Sequence, residues 1–416
     1  MKRRRVAAII TGAVLPLIPV APAHAQNANF EQAITDGTPL ADVRLRFESV
    51  DQAGFSKNAE ATTLRARLGY QTGQFLGFAA LAEGDFVEHF GPRHFADTVH
   101  PAPGYPAIWD PDMAVLNRLQ LSYGAWLTDS AQAPDFLLTA GRQRIVYGNG
   151  RFIGNADWRQ HEQTYDAVGF VDTSLPATTL SYAYAWRVNR IFGPDSPLGE
   201  FNGDSHFFDA VYAGLPNVRF NGFAYLLDFR EAPAFSSATY GVRGDGTFDL
   251  GDGFTARLNA AYAEQDAYAR NPAHLGLDYY LGEAGLAYGG LAGLVGYEVL
   301  GGNGSAGFQT PLANLHAFQG WAESFLNKPP EGLRDFYVRT TYGIPAAPVF
   351  ARLSATVIYH DYSAEHVSAG YGNEWDAQLE GQVDPHLVLD VAYADYAGGG
   401  PFPDKRAFWL YATYRY

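Results

Sequence analysis

Arginine is the residue type whose placement in this chain points most directly to chemistry. Arg44, Arg46, Arg65, Arg67, Arg118, Arg257 and Arg339 stand at positions that alternate with apolar residues, and Arg142, Arg144, Arg151 and Arg159 crowd one short stretch. A guanidinium presents a planar fork that matches a carboxylate, so a row of them on one face would attract and guide uronates or other organic anions. The competing role is structural: Glu48, Glu83, Asp85, Asp376 and Glu380 fall on the same faces and would neutralise them. Trp109, Trp158 and Trp321 lie between the regular segments and are candidates for stacking on sugar rings, with loop packing as the plainer role.

Other chemistries find little support. Ser205-His206 beside Asp204 puts a hydroxyl and an imidazole on opposite faces of an extended segment, and Ser354, His360 and Asp361 are too widely spaced to meet. No Gly-x-Ser-x-Gly elbow occurs, so no catalytic residues are assigned. Asp245, Asp249 and Asp252 among glycines miss the EF-hand spacing and read as turn chemistry, leaving no metal site and no cofactor. The chain has no cysteine, which removes disulfides, thiolate metal ligands and thiol nucleophiles.

The elements that must carry these arginines are strands. Val43, Leu45 and Phe47 alternate with Arg44, Arg46 and Glu48; Leu64, Ala66 and Leu68 with Arg65 and Arg67; Phe254, Ala256, Leu258 and Ala260 with Thr255, Arg257 and Asn259. Successive side chains of a strand point to opposite faces, so each segment is two-faced. No helical layer exists in the sequence to cover so much apolar surface. Closing the sheet removes its edges and leaves lipid on the apolar side and water on the polar one. The predicted fold is therefore all-β, a transmembrane antiparallel barrel over 41–416 with sixteen to eighteen strands, eighteen being the count preferred.

Connections give an independent test. Those after even-numbered segments are short, such as Gly289-Gly290 and Asp384 to His386, whereas Glu88 to Leu116, Val146 to Gln163 and Gly301 to Gly332 follow odd-numbered ones. Short periplasmic turns alternating with long external loops is the outer-membrane pattern. Ala284 to Tyr297 is uncharged but carries five glycines, and it reads as a hairpin around Gly289-Gly290 rather than a spanning helix. Within the longest loop, Thr310-Pro311 followed by Leu312, Leu315, Phe318, Phe325 and Leu326 predicts a short helix.

Composition agrees. Aromatics make up 15% of the chain, with 26 Tyr, 28 Phe and 45 Gly against 2 Met, which suits a sheet half in lipid. Lys2 to Arg5, an apolar run to Val20 and Ala23-His24-Ala25 predict a secretory signal peptide over 1–25, followed by a short periplasmic segment over 26–40. Losing those four charges takes the net charge from −15 to −19, which argues against nucleic acid as a partner.

Three stretches carry a family likeness. They are Ala140 to Ile145 with Arg151 to Asn155, Trp158 to Gln160 and Gln163 to Asp166; Gly203 to His206; and Gly302 to Gly304 with Phe308 to Leu312, Gly320 to Ala322 and Asp335 to Val338. Together they resemble the alginate-export family of Gram-negative outer-membrane proteins, its sphingomonad-type members in particular, from Asp42 to Tyr416. The resemblance implies a large barrel whose arginine-rich conduit passes an anionic uronate polymer. It also makes the last strand, with Phe408, Leu410, Ala412, Tyr414 and Tyr416, look like the signal read by the barrel-insertion machinery. The resulting expectation is a non-enzymatic, monomeric channel in the outer membrane of a Gram-negative bacterium. Its partners would be membrane lipid, that machinery and an anionic saccharide or small anion. The alternative is a loop-plugged barrel with a structural or adhesive role.

Overall fold

A computed structural model describes residues 29–127, 133–345 and 348–416. The expected signal peptide lies outside these residues. A helix, α1 (Phe30–Thr35), is capped by the Asn29 side chain, which accepts from the Glu31 backbone N–H at 2.9 Å. Eighteen strands follow: β1 (Thr38–Gln52), β2 (Ala59–Gln71), β3 (Phe78–His94), β4 (Met113–Ala125), β5 (Phe136–Gln143), β6 (Thr164–Asp172), β7 (Thr178–Asn189), β8 (Glu200–Leu215) and β9 (Val218–Leu227). The second half holds β10 (Ser237–Gly251), β11 (Phe254–Ala267), β12 (Leu277–Tyr288), β13 (Leu291–Leu300), β14 (Leu333–Gly343), β15 (Arg352–Ser363), β16 (Gly370–Gln382), β17 (Leu387–Gly398) and β18 (Lys405–Arg415).

Every strand pairs antiparallel with its sequence neighbours, and β1 pairs with β18 from Asp42↔Arg415 to Gln52↔Lys405, which closes the sheet. The expected barrel of eighteen strands is therefore the observed one. Closure matters energetically because an open edge in hydrocarbon would leave backbone N–H and C=O groups without partners, each costing several kcal/mol.

The two faces separate as the alternation predicts. Leu258 and Val295 are 54% and 48% exposed on the outside, while Arg65 and Asp376 are fully buried on the inside. A belt of this composition belongs in hydrocarbon, and the outer membrane of a Gram-negative cell is where such a barrel fits. Of the tyrosines whose place near strand ends predicts an interfacial girdle, Tyr70, Tyr123, Tyr262, Tyr342 and Tyr414 are exposed, while Tyr182 is half-buried.

Connection lengths alternate too. One end carries short turns such as 216–217, 252–253 and 289–290, and the other carries loops 95–112, 144–163 and 301–332. The short-turn end is periplasmic by the outer-membrane pattern. The Gly289-Gly290 hairpin needs a left-handed residue at its first turn position, and Gly289 supplies φ +60° without a Cβ penalty.

Two expectations change. The short helix sought between Thr310 and Leu326 reduces to one three-residue 3-10 turn, Leu315–Ala317. Its apolar residues face separate neighbours instead of one helix partner: Leu312 pairs with Ile153, and Phe325 packs against Tyr362, Tyr371, Tyr396 and Phe402. The inward face is also not uniformly polar. Toward the long-loop end it carries Phe207, Tyr225, Tyr279, Tyr362 and Tyr396, all buried, which form the seat for the loops.

Candidate functional site

Loops 144–163 and 301–332 turn inward and cross the lumen, and their apolar knobs explain why. Phe152 sits between Phe223 of β9 and Tyr279 of β12, with ring centroids at 4.9 and 5.3 Å, and meets Phe308 of the other loop at 6.2 Å. Phe325 fills the matching seat on β15–β17. Aromatic burial of this kind contributes several kcal/mol per loop, one part of what offsets the entropy of ordering them.

The loops are also stitched to one another. Ile153 and Leu312 form a parallel bridge, Gly154 N–H donates to the Leu312 carbonyl at 2.8 Å, and Asn314 N–H donates to the Gly150 carbonyl at 2.9 Å. The Asn314 side chain accepts from Ala156 N–H at 2.7 Å and occupies the space a side chain at Gly150 or Gly154 would need. That close approach is the physical reason for glycine at both positions.

The arginines of β1 and β2 hold loop 144–163 against the wall. Arg44 donates to the carbonyls of Asp157 and Trp158 at 3.2 and 2.9 Å, and Arg46 donates to the Trp158 carbonyl at 2.7 Å and to Asp110. Arg65 is bound by Asp42, and Arg67 by Asp85 at 3.0 Å. Arg159 runs the other way, from the loop to Glu48 on β1 at 3.4 Å and to Glu323 of loop 301–332. Arg151 binds Glu298 of β13 at 2.6 Å.

Glu162 is the second hub. It accepts from Arg144 at 2.6 Å, from Asn117 at 2.7 Å and from Asn155 at 2.7 Å, with Arg67 at 3.5 Å. Burial alone would raise its pKa, but Arg144 and Arg67 outweigh it and hold the carboxyl well below the usual range. Burial pushes His316 down to about 4 despite Glu323 beside it, so its ring is neutral near pH 7. That neutral ring stacks on Trp158 with centroids 3.6 Å apart and planes 5° off parallel.

The arginines singled out from sequence thus divide into three groups. Arg44, Arg46, Arg65, Arg67, Arg151 and Arg159 are buried, while Arg118, Arg142 and Arg144 are partly exposed and bound by Glu83, Asp166 and Glu162. Arg257 and Arg339 face inward with no carboxylate oxygen within 4.0 Å among the described residues. Of the tryptophans, Trp109 packs edge-on to Phe192 at 5.9 Å, Trp158 has one face covered by His316, and Trp321 lies 6.2 Å from the same imidazole. Ser205 is buried inside and accepts from Asp228 N–H, whereas His206 meets Tyr182 on the other face, so they do not converge.

Sequence reasoning missed Asp110, Glu162, Glu298 and Glu323, the carboxylates that anchor the loops. Only the third lies on a strand whose alternation places it inside. The other three sit in loops, where no periodicity marks their direction.

No family model matches the chain, and no curated protein matches it in sequence. Solved structures do resemble it. The Acinetobacter baumannii OccAB2 structure superposes with a TM-score of 0.71 at 14% identity, covering 92% of this chain and 99% of that one. Pseudomonas aeruginosa OpdK, in a structure with vanillate, gives 0.70 at 15% identity over 92% and 99%. Acinetobacter baumannii OccAB4 gives 0.69 at 14% identity over 93% and 100%. At that level of identity the likeness establishes the fold: an eighteen-stranded outer-membrane barrel of the porin kind.

Proposed function

We propose that this barrel is a passive channel for small anionic solutes, organic carboxylates and acidic saccharides foremost, moving down their gradients. The observation that carries the reading is the lumen itself. It is crossed by two loops tied to each other and to the wall, with guanidinium groups on the inward face, and no separately folded plug domain occurs among the described residues. The alginate-export resemblance fits the arginine-rich interior. A lumen crossed by two loops favours monomeric solutes over an extended uronate polymer, so the finer reading is a relative of that type passing small molecules. The vanillate in the OpdK structure, a carboxylate bound to a barrel of the same fold, supports the same solute class.

Liposome swelling with neutral, acidic and basic sugars of one size is the direct test. Faster swelling with the acidic sugar is expected, and equal rates would count against anion preference. The alternative, a barrel closed by its loops with a structural or adhesive role, draws on how thoroughly the loop carboxylates and arginines are paired. Absence of any conductance in planar bilayers at either polarity would favour it.

A further inference from the structure

We infer that α1 is an interfacial anchor: its exposed apolar face lies in the headgroup layer of the periplasmic leaflet, against phospholipid, and pins the start of β1 there. The segment over 26–40, expected from sequence to sit in the periplasm, is in its described part this helix and the beginning of the first strand.

A helix of six residues does not hold together in water, where isolated helices shorter than about 12–15 residues are marginal. The outer wall of the barrel supplies what it lacks. Ala33, the buried residue of the helix, accepts at its carbonyl from the Gly73 N–H at 2.7 Å, in the turn between β2 and β3. The Tyr70 hydroxyl donates to the Ile34 carbonyl, one of the acceptors that a helix end leaves without an intrahelical partner. Phe30 meets Phe75 of the same turn edge-on, with ring centroids 5.6 Å apart. Tyr70 shares the outward face of β2 with Leu64, Ala66 and Leu68, opposite Arg65 and Arg67. The helix is therefore tied to the lipid side of the wall and not to the lumen, at the level of a girdle tyrosine's hydroxyl.

The face it turns outward is apolar. Phe30 and Ile34, one turn apart and so on one side of the helix, are 62% and 44% exposed. Leu76, next to Phe75, is exposed as well. Phe75 is bridged through the backbone to Phe78, whose ring lies 4.8 Å from that of Tyr123, and both of these rings are exposed on the belt. The apolar surface of α1 thus continues without a break into the surface that lipid already covers. That continuity selects lipid over a protein partner as its occupant. A helix in this position sinks its apolar side about 5–10 Å into the boundary between headgroups and acyl chains. Glu31 and Gln32 are exposed on the remaining sides and stay in water. With Glu31 in the first turn and no basic residue in the last, attachment comes from apolar burial and not from attraction to anionic headgroups. Because β1 starts at Thr38 and closes the barrel against β18, the anchor holds the periplasmic end of that seam.

The chain has no cysteine, so one nitroxide label can be placed at a chosen site of the whole barrel. Phe30→Cys, Ile34→Cys, Glu31→Cys and, in a periplasmic turn, Asp252→Cys would each be labelled and reconstituted in phosphatidylcholine vesicles. Gel mobility before and after heating checks that each barrel is folded. Collision of the label with oxygen, which concentrates in lipid, is then compared with collision with a water-soluble nickel chelate present on both sides. The ratio of oxygen to nickel access should be severalfold higher at positions 30 and 34 than at 31 and 252. Adding Phe30→Ser to the Ile34→Cys barrel should lower its ratio toward that of position 252. Ratios at 30 and 34 equal to that at 252 would overturn the proposal, since the face would then meet water and await a protein. Poor access to both reagents would overturn it too, by placing these residues inside the protein. An unchanged ratio in Phe30→Ser/Ile34→Cys would overturn the claim that the apolar face is what holds the helix in the leaflet.

Discussion

Replacing Glu298 by Ala separates the stability of the loops from that of the barrel. The carboxylate is 3% exposed and accepts from Arg151 Nε at 2.6 Å, from Tyr279 Oη at 2.6 Å and from the Gln319 amide. Without it, Arg151 keeps only Thr310 Oγ1 at 3.1 Å and Gln319 Oε1 at 3.4 Å as acceptors. A neutral hydrogen bond contributes about 1 kcal/mol, but stranding a buried guanidinium costs about 3–5 kcal/mol, so the charge decides the outcome. The β13 ladder to β12 and β14 is backbone and stays intact; the cost falls on loop docking. At about 1.4 kcal/mol per factor of ten, the undocked population should rise roughly a hundredfold to several thousandfold. Trypsin cleavage after Arg151 and Arg159 in proteoliposomes tracks that population when docking is fast relative to cleavage. Cleavage should accelerate accordingly, with long-lived high-conductance openings in single-channel records, and Glu298→Gln should fall in between. Wild-type cleavage rates in a folded Glu298→Ala barrel would refute the claim that this carboxylate holds the two loops.

Acid should act on the same loops. His316 is held near 4 against an ordinary 6.5, so docking is at full strength above 6.5 and weakens as pH falls toward 4. Glu323, which Arg159 keeps charged against the opposing effect of burial, shifts the balance in the same direction, so loop cleavage, taken relative to an unstructured control peptide at the same pH, should be faster at pH 4.5 than at pH 7.5. Trp158→Ala removes the ring stacked on His316 and set edge-on to Trp409 and Tyr411, and it should cost about 3–5 kcal/mol of docking, read by the same cleavage assay. On the lipid face, Val295→Arg should destabilise the barrel by about 2–4 kcal/mol, measured by urea unfolding from vesicles. By contrast Val295→Leu should be neutral, because lipid does not discriminate between the two.

The strands were legible because lipid does the work a partner layer does in a soluble sheet. Each outward residue needs only to be apolar, so alternation alone sets Leu45, Phe47 and Leu258 outside and Arg44, Arg46 and Arg257 inside. Strand ends were less legible, as at β8, which begins at Glu200, since its extension pairs above the membrane belt where lipid imposes no pattern. Loop direction was not legible. Nothing local distinguishes Glu162 or Glu323 from solvent-facing acids; their burial depends on arginines far along the chain. The same blindness made the apolar spacing after Thr310 resemble a helix, when Leu312 and Phe325 answer to different strands.

The Ile153–Leu312 bridge has a mechanical consequence. Loop 144–163 grips β1 through Arg44 and Arg46 and β2 through Arg67 to the Gln160 carbonyl, while its stitched companion grips β13 and β16 through Gln319 to Glu298 and Ala322 to Glu374. Separate sectors of the ring, up to about a third of its circumference apart, are thereby tied by a strut, as a spoke ties a rim. Such a ring resists being squashed into an ellipse when lateral pressure in the membrane changes, and the aperture left beside the strut keeps its width even where the surrounding sheet is soft.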